Sequence, residues 1–437
     1  AEGLRGREVD MGTFADGQGW PATASPMPDA TMGAQACALP VWGPSPLPLR
    51  IHTVRLVYVT ETYPPEVNGV SLTVQRAVSH LRRQGHDVSL VRPRQRGEAP
   101  LDARHEWRTA GMPLPMYPDL RFGLAWPGQV RERLLQWRPA LVHLATPGPL
   151  AWAALQAARA LHIPVTAEFR TNFHLYSAHY GLSWLSPLVL RGLRAFHDRA
   201  QRNYVPTHLA RRELARAGFS QMEVIGRGVD TERFHPRHRC DWLREQLAPP
   251  DAPLLLYVGR LAAEKNVELA LQAYDVVRAG MPRAGMVVVG DGPMRRNLQT
   301  RYPQVRFVGM QTGEALSRYY AAADLFLFPS LSDTFGNVVL EALASGVPVV
   351  AFDLGAAAEL VQGSGAGRVI PNGQPEQFIT AACALAWQHR HAGMQRERAR
   401  ALALNARWDH VLNRFEQSLL EVAHGHDAPK ARQARAA

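Results

Sequence analysis

The chain alternates short, nearly continuous apolar runs with longer stretches of mixed character. The run VRLVYVT, residues 54–60, is typical of a strand buried on both faces of a parallel sheet. The stretch 72–84 then predicts a helix that Gly85 ends. Strand and helix keep alternating in this way, which favours a parallel sheet with helices on both faces. The predicted strands of this first set are residues 54–60, 86–93, 141–147, 163–171, 203–207 and 222–230.

The same pattern restarts near residue 250 and predicts a second domain. We therefore predict an α/β fold of two Rossmann-like, doubly wound domains, 53–235 and 236–407, that face a cleft and are followed by C-terminal helices. A helix over 408–424 is expected to pack back toward the first domain. In open α/β sheets ligands bind beyond the carboxyl ends of the strands, so both domains can direct those ends into one cleft. The strands predicted for the second domain are residues 254–260, 285–293, 304–310, 324–330, 347–352 and 366–370.

The two ends of the chain differ in composition from the predicted domains. Residues 1–52 are rich in Pro, Gly, Ala and Ser, and residues 425–437 are a polar tail, so we predict disorder in both. The longest apolar region, 139–165, is interrupted by polar residues, and we find no Lys/Arg-led apolar leader. The three cysteines are widely spaced, which argues against a disulfide framework or a zinc site. These features predict a cytoplasmic protein.

The net charge of +11 is concentrated in the first half of the chain. Residues 55–239 contain 26 Arg and 14 Asp or Glu, a balance of +12. A basic face favours phosphate-rich partners, and an arginine-rich composition that serves solubility is the alternative. The stretch 186–202 predicts an amphipathic helix, either a peripheral contact with an anionic membrane or a core helix with a solvated basic edge. No helix-turn-helix, zinc-finger or RNA-binding signature supports nucleic-acid binding.

One lysine stands out among the arginines. Of 49 basic residues only two are lysine, Lys265 in the second domain and Lys430 in the polar tail. Lys265 follows Arg260, which stands at the end of a predicted strand. Two cations at a strand end can neutralise a diphosphate leaving group as its charge grows. The alternative is a surface helix start with solvated charges.

The block FPSLSDTFGNVVLEALASGVPVV, residues 328–350, carries the most specific pattern. It predicts a strand, a loop, and a helix over 336–345 whose amino terminus suits a diphosphate. Asp333 precedes this helix and Glu341 lies on its second turn, so one carboxylate can reach sugar hydroxyls and the other ribose hydroxyls. The alternative for this pair is an N-capping Asp and a surface Glu.

Two further turns follow predicted strands. The pair Asn68 and Gly69, after the first strand, predicts a tight turn where backbone can approach a phosphate. The loop GDGP, which begins at Gly290, has the corresponding place in the second domain and is expected near the nucleotide base.

The segments TYPPEVNGVS, IGRGVDTERFHP, VGRLAAEKN, VGDGPMRRNL and SDTFGNVVLEALASGVPVV together resemble the family 4 retaining glycosyltransferases of the GT-B fold. The similarity runs from residue 54 to residue 415, and the chain is similar in character to bacterial α-mannosyltransferases and sulfoquinovosyl- or glucosyl-lipid synthases. The resemblance implies a hexosyltransferase that moves a hexose from a nucleotide-diphosphate sugar, of the GDP-mannose or UDP-glucose type, to a lipid or glycan hydroxyl.

The resemblance also implies roles for particular residues. Arg260 and Lys265 would grip the donor pyrophosphate, and Gly69 would donate a backbone N–H to it. Asp333 stands at the first position of the family's paired-acid motif, usually Glu, and would hold the donor sugar hydroxyls. Phe335, Gly336 and Asn337 would frame the sugar and phosphate with backbone amides, and Glu341 would bind ribose. Gly290, from the strand-end loop GDGP, is the remaining donor-binding candidate.

The position of a catalytic histidine is less well marked. His143 is present in LVHLATP, but Ala145 and Thr146 stand where some relatives carry a later His and Glu. His174, in FRTNFHLYSAHYG, is the candidate catalytic histidine, with a purely structural role as the alternative.

The motifs contain no convincing DxD-type acidic cluster. We therefore expect no metal and no cofactor beyond the nucleotide sugar as co-substrate. With a lipid acceptor, the enzyme would act peripherally at the inner membrane surface. The alternatives are a nucleotide-sugar epimerase, another GT-B sugar enzyme such as a phosphorylase, and a non-catalytic nucleotide-sugar binding protein.

Overall fold

A computed structural model of the chain describes residues 53–66, 69–95, 97–114, 117–170 and 186–434. These residues form two sheets, each with helices on both faces. On β1 (Arg55–Val59), Val57 and Val59 belong to one apolar core, whereas Leu56 and Tyr58 belong to another. Alternate residues of a strand point to opposite faces, so the sheet is covered on both sides, as the continuous apolar runs predict.

The first sheet has the strand order β3-β4-β2-β1-β6-β7-β8-β9, with β5 paired to β4. Its other strands are β2 (Asp87–Pro93), β3 (Leu101–Ala103), β4 (Glu106–Leu114), β5 (Tyr117–Leu124), β6 (Leu141–Leu144), β7 (Val165–Glu168), β8 (Arg202–Val205) and β9 (Met222–Val224). Its helices are α1 (Gly69–Arg83), α2 (Pro127–Trp137), α3 (Pro149–Ala160), α4 (Ser186–His197) and α5 (His208–Arg216).

Three strands of this sheet were not predicted from the sequence. β3 and β5 both pair antiparallel with β4, which extends the sheet beyond β2. The segments EWRTAGMPL and YPDLRFGL mix charged residues, Gly and Pro with apolar ones, and so lack the continuous apolar run of a central strand. Strands outside the centre of a sheet need less apolar surface, so the hydrophobic pattern alone does not mark them.

The second sheet is parallel throughout, in the order β12-β11-β10-β13-β14-β15. Its strands are β10 (Leu254–Val258), β11 (Gly285–Val289), β12 (Arg306–Gly309), β13 (Leu325–Phe328), β14 (Val349–Phe352) and β15 (Gly367–Ile370), and each lies within a predicted strand. Its helices are α6 (Asp241–Leu247), α7 (Val267–Gly280), α8 (Arg295–Arg301), α9 (Gly313–Ala322), α10 (Asn337–Ala344), α11 (Pro375–Trp387) and α12 (Gly393–Asn405). Helix α12 was not predicted, because it buries mainly the small residues Ala399 and Ala403.

The last helix, α13 (Trp408–Ala434), packs on the first sheet although it follows the second domain in sequence. Phe415 and Leu419 join the apolar core of β1 and α1. The Glu416 carboxylate lies 2.8 Å from His80 Nε2 and 2.9 Å from His86 Nε2. The helix ends at Ala434, beyond its predicted end at residue 424.

The carboxyl ends of the two sheets face each other. Gly69 begins the helix after β1, and a Cβ placed on it would lie 3.5 Å from Asn337 Nδ2, at the start of α10. Leu209 N, on α5, donates to Glu359 Oε1 of the second domain at 3.0 Å. The cleft predicted from the two sheets is therefore present. Among the described helices, none combines the length and apolar character that a membrane span requires.

Candidate active site

The backbones of two glycines pack closely together just after the ends of β10 and β11. Gly259 follows β10 and Gly290 follows β11, where φ is 137°. A Cβ on Gly290 would lie 1.9 Å from the Gly259 carbonyl oxygen, so only glycine fits this approach. Leu261 N donates to the Asp291 carbonyl at 2.9 Å. The predicted Gly290 loop is thus held against the segment that contains Arg260.

Lys265 lies in a short 3₁₀ turn, Ala263–Lys265, after β10. Its Nζ donates to the Ser332 carbonyl at 2.9 Å and to Asp333 Oδ2 at 2.8 Å. An ammonium group has three N–H donors, so one is left for a ligand. The Lys265 and Asp333 side chains are 18% and 22% exposed, which leaves both within reach of the cleft. The side chains of Lys265 and Asp333, which belong to two separate sequence motifs, are therefore in direct contact.

The amino terminus of α10 has no side-chain cap. Gly336 precedes it with φ 82° and ψ 63°, a left-handed conformation that favours glycine. Asn337 Oδ1 is buried and has no hydrogen-bond partner within the described part of the chain. The first N–H groups of a helix have no intrahelical acceptor and carry the positive end of its dipole. Together these features leave an anion-binding position at the start of α10.

Phe335 and Asp333 shape the loop in front of this helix. Phe335 N donates to Asp333 Oδ1 at 3.3 Å, and the Phe335 carbonyl accepts from Ala356 N at 2.6 Å. The Asp333 carboxylate therefore orders its own loop with one oxygen and accepts from Lys265 with the other. Its backbone contact is with residue 335, so it does not cap α10 itself.

Glu341 lies on the second turn of α10, as predicted. Tyr320 on α9 donates its hydroxyl to Glu341 Oε2 at 2.9 Å. Burial raises the pKa of Glu341 to about 7, although the Tyr320 hydrogen bond and the positive charges of Arg233 and Arg76 oppose the shift. Arg76 belongs to α1, so a charge in the first domain also affects the pKa of this carboxylate.

The structure brings most of the predicted donor-binding residues to one place. Gly69 approaches Asn337, Lys265 bonds Asp333, and Arg260 is exposed two residues after the end of β10. The Arg260 guanidinium has no ion-pair partner among the described residues, so it is available to a ligand. His174 lies outside the described residues.

The surroundings of His143 indicate a structural role. It is 1% exposed on β6, with Nδ1 2.9 Å from Thr166 Oγ1 and Nε2 3.0 Å from Glu168 Oε1. Burial lowers its pKa, although Glu168 favours the charged form. These contacts place His143 in the core of the first domain.

Sequence reasoning missed a buried charged cluster at the end of β7. Burial alone would raise the pKa of Glu168, but Arg170, His143 and Arg227 hold it at about 2. Burial and, to a smaller extent, the charge of Arg170 together lower the pKa of Arg227 to about 10. Glu168 and Arg170 inside the predicted strand IPVTAEFRT were the available signal, but the other members of the cluster, His143 and Arg227, lie far away in sequence.

Tyr320 was also missed. It is fully buried on α9, 21 residues before Glu341. The segment SRYYAAAD contains two adjacent tyrosines, and the sequence alone does not show which of them reaches the site.

Two family models match the chain, and each covers one of the two domains. The model described as Glycosyltransferase Family 4 matches residues 67–233, and Glycosyl transferases group 1 matches residues 252–387.

Individual proteins show the same relationship. The GDP-mannose-dependent alpha-mannosyltransferase of Mycolicibacterium smegmatis is 38% identical over 70% of this chain and 82% of that protein. Sulfoquinovosyl transferase SQD2 of Arabidopsis thaliana is 31% identical over 68% of this chain and 58% of that protein.

The fold agrees with a solved structure, that of sucrose-phosphate synthase from Thermosynechococcus elongatus. The TM-score is 0.66 at 20% identity, over 85% of this chain and 100% of that one. The fold is therefore GT-B, and the sequence similarity extends through both domains. The chain belongs to glycosyltransferase family 4 and is a hexosyltransferase.

Proposed function

We propose that the enzyme transfers mannose from GDP-mannose to a hydroxyl of a lipid or glycan. The observation that carries this proposal is the Lys265–Asp333 pair, 2.8 Å apart, beside the uncapped amino terminus of α10. A cation, a carboxylate and free backbone N–H groups are the groups that a sugar diphosphate requires. The mycobacterial relative, GDP-mannose-dependent by name, supports the choice of donor.

In this proposal the pyrophosphate lies between Lys265, Arg260 and the start of α10. Charge grows on the leaving diphosphate as the glycosidic bond breaks, and fixed cations and helix N–H groups stabilise that charge in the transition state. Lys265 retains one N–H donor for the phosphate while it still bonds Asp333. The backbone N–H of Gly69 would approach the same phosphate from the first domain.

The two carboxylates divide the rest of the donor. Asp333 lies beside Lys265 and would accept hydrogen bonds from the sugar hydroxyls. Glu341 would accept from the ribose hydroxyls, for which its ionised form is the better acceptor. Because the pKa of Glu341 is about 7 without ligand, ribose binding would lower it.

We propose a retaining, metal-independent reaction. The departing phosphate oxygen takes the proton of the acceptor hydroxyl on the same face of the sugar, so no protein base is needed, and the protein mainly positions the reactants. Arg260 and Lys265 take the place of a divalent cation. Within the described residues, no three His, Cys, Asp or Glu side chains gather as a metal site would require. Loss of activity in EDTA with recovery in magnesium would contradict this part.

The basic first domain is proposed to contact an anionic membrane. Leu193 and Phe196 of α4 are buried in the core, so the predicted apolar face mostly points inward. Leu188 at the start of α4 is 66% exposed and Trp126 is 78% exposed, and these two side chains are available to lipid. We expect flotation with liposomes that contain anionic lipid and none with neutral liposomes.

The test of the donor is a nucleotide-release assay with purified protein, mixed membrane lipids, and GDP-mannose or UDP-glucose. We expect acceptor-dependent release of GDP. Lys265→Met should lower the rate about 100- to 1000-fold, because the variant lacks the N–H group that would stabilise the charge developing on the diphosphate. Lys430→Met removes the only other lysine and is the matched control, expected to behave as wild type.

Three outcomes would count against the proposal. Release of UDP alone would contradict the mannosyl donor. Conversion of the donor without an acceptor would favour an epimerase. A Lys265→Met variant as active as the Lys430→Met control would remove the proposed phosphate site.

A further inference from the structure

A small pocket lies in the first domain, at the carboxyl ends of β7, β8 and β9. Its lining includes Thr73 of α1, Trp408 of α13, Arg170 and Arg227. It belongs to the first domain, whereas the proposed donor site is built mainly on β10, β13 and α10. No step of the proposed donor chemistry uses the two arginines.

Arg170 is a buried cation with an unused donor. Its side chain is 2% exposed, Nη2 donates to Glu168 Oε1 at 2.6 Å, and Nε lies 2.5 Å from Oε2. Nη1 is buried and has no hydrogen-bond partner within the described part of the chain. A buried N–H of a charged group without an acceptor is costly, and a ligand oxygen would satisfy it.

Arg227 is a second cation in the pocket, and little negative charge lies close to it. Its side chain is 11% exposed, and its ion-pair partner is Glu168, whose Oε2 lies 3.8 Å away. Glu168 already bonds Arg170, so one carboxylate faces two guanidinium groups. The neighbouring Tyr58 and His143 are both neutral, because burial raises the pKa of the phenol and lowers that of the imidazole. The cluster therefore carries one positive charge in excess.

The pocket also lies close to the cleft. Thr73 on its wall donates its hydroxyl to the Gly69 carbonyl at 2.7 Å, one helical turn earlier. Gly69 in turn approaches Asn337 at the start of α10. One turn of α-helix rises about 5.4 Å. The distance between an anion in the pocket and a group in the cleft is therefore one that a few covalent bonds of a single molecule can span.

We propose that this pocket binds a phosphate-type oxyanion of the acceptor through Arg170 and Arg227. The acceptor hydroxyl would then reach the sugar in the cleft while its phosphate is held one helical turn away. Arg guanidinium groups match such oxyanions through paired hydrogen bonds. This inference deepens the proposed function and rests on it, because it takes the cleft to be the place of transfer.

The experiment measures binding of orthophosphate, glycerol 3-phosphate and glycerol to protein saturated with GDP. GDP occupies the donor site, so phosphate cannot bind at Lys265 and Arg260. We expect saturable binding of both phosphates and none of glycerol. Arg227→Gln should weaken phosphate binding at least about tenfold, as expected for loss of a charge-assisted hydrogen bond, and Arg227→Lys should weaken it less. Arg278→Gln, an exposed arginine on α7, is the control.

The outcomes separate this inference from the proposed function. Retained GDP binding in Arg227→Gln would show that the variant folds, so loss of phosphate binding would then support the pocket. Equal phosphate binding in the wild type and Arg227→Gln would overturn it, as would binding of orthophosphate without glycerol 3-phosphate, since that indicates a free ion rather than an acceptor group. Failure of the proposed function would appear instead as absence of GDP binding or of GDP release.

Discussion

Two enclosed glutamates, one in each domain, have opposite pKa shifts. Glu168 in the first domain has a pKa of about 2, whereas Glu341 in the second has a pKa of about 7. Burial disfavours the ionised form of both. Glu168 touches the Arg170 guanidinium, but the closest partner of Glu341 is the Tyr320 hydroxyl. A cation in contact offsets burial and a neutral hydroxyl does not.

The opposite pKa shifts distinguish a carboxylate that stabilises the fold, Glu168, from one that is available to a ligand, Glu341. Glu168 neutralises a neighbouring arginine and so completes the interior of the first domain. In the free enzyme the cost of burying ionised Glu341 is only partly offset, until a bound donor brings ribose hydroxyls to the carboxylate. The same glutamate-to-glutamine change should therefore have opposite effects on stability at the two positions.

The largest effect is expected for Glu168→Gln. The change leaves Arg170 and Arg227 buried without a counter-charge, which should lower the free energy of unfolding by about 3–5 kcal/mol. Urea unfolding at pH 7 measures it. Glu314→Gln, at an exposed carboxylate paired with Arg318, is the control and should cost about 1 kcal/mol or less. Equal losses in the two variants would contradict the account of the buried cluster.

Glu341→Gln should stabilise the free enzyme at pH 8. The folded pKa of Glu341 lies above its usual value, so ionisation destabilises the fold as the pH rises from about 4.5 through about 7. Removing the charge should raise the free energy of unfolding by about 1–3 kcal/mol at pH 8 and change it little at pH 4.5. The same variant should bind GDP about tenfold more weakly, as expected for loss of a charged hydrogen bond. Lower stability at pH 8 would contradict the pKa assignment.

A smaller effect is expected in the pH dependence of GDP affinity. Ribose hydroxyls bind the ionised Glu341, so the dissociation constant should fall up to about tenfold between pH 6 and pH 8. GDP also titrates in this range, and the Glu341→Gln variant controls for the nucleotide itself. The part of the pH dependence that disappears in the variant belongs to Glu341. Identical pH profiles for the two proteins would argue against a ribose contact.

The sequence predicted those features that depend on neighbours along the chain. β10 to β15 are short apolar runs, and α10 lies between Gly336 and Ser345 as the pattern indicates. Lys265 was marked by composition, since it is one of only two lysines. Its partner Asp333, 68 residues later, was found by its place before a helix, but the bond between them required the structure.

The remaining features depend on contacts between distant segments. β4 and β5 complete the first sheet with mixed, Gly- and Pro-containing sequences that carry no clear period. Tyr320 reaches Glu341 from another helix, and Glu168 meets Arg227, 59 residues away, only through the parallel sheet. A pattern of apolar residues does not encode such polar pairs, so the charged cluster of the first domain was not anticipated.

The central claim is that Lys265 binds the donor diphosphate beside the start of α10. Calorimetric titration of GDP into the wild type, Lys265→Met and Lys430→Met tests it most directly. We expect Lys265→Met to weaken GDP binding about 10- to 100-fold, since a charged hydrogen bond to phosphate is worth about 1.5–3 kcal/mol, and Lys430→Met to match the wild type. A folded Lys265→Met protein that binds GDP within twofold of the wild type would contradict the claim.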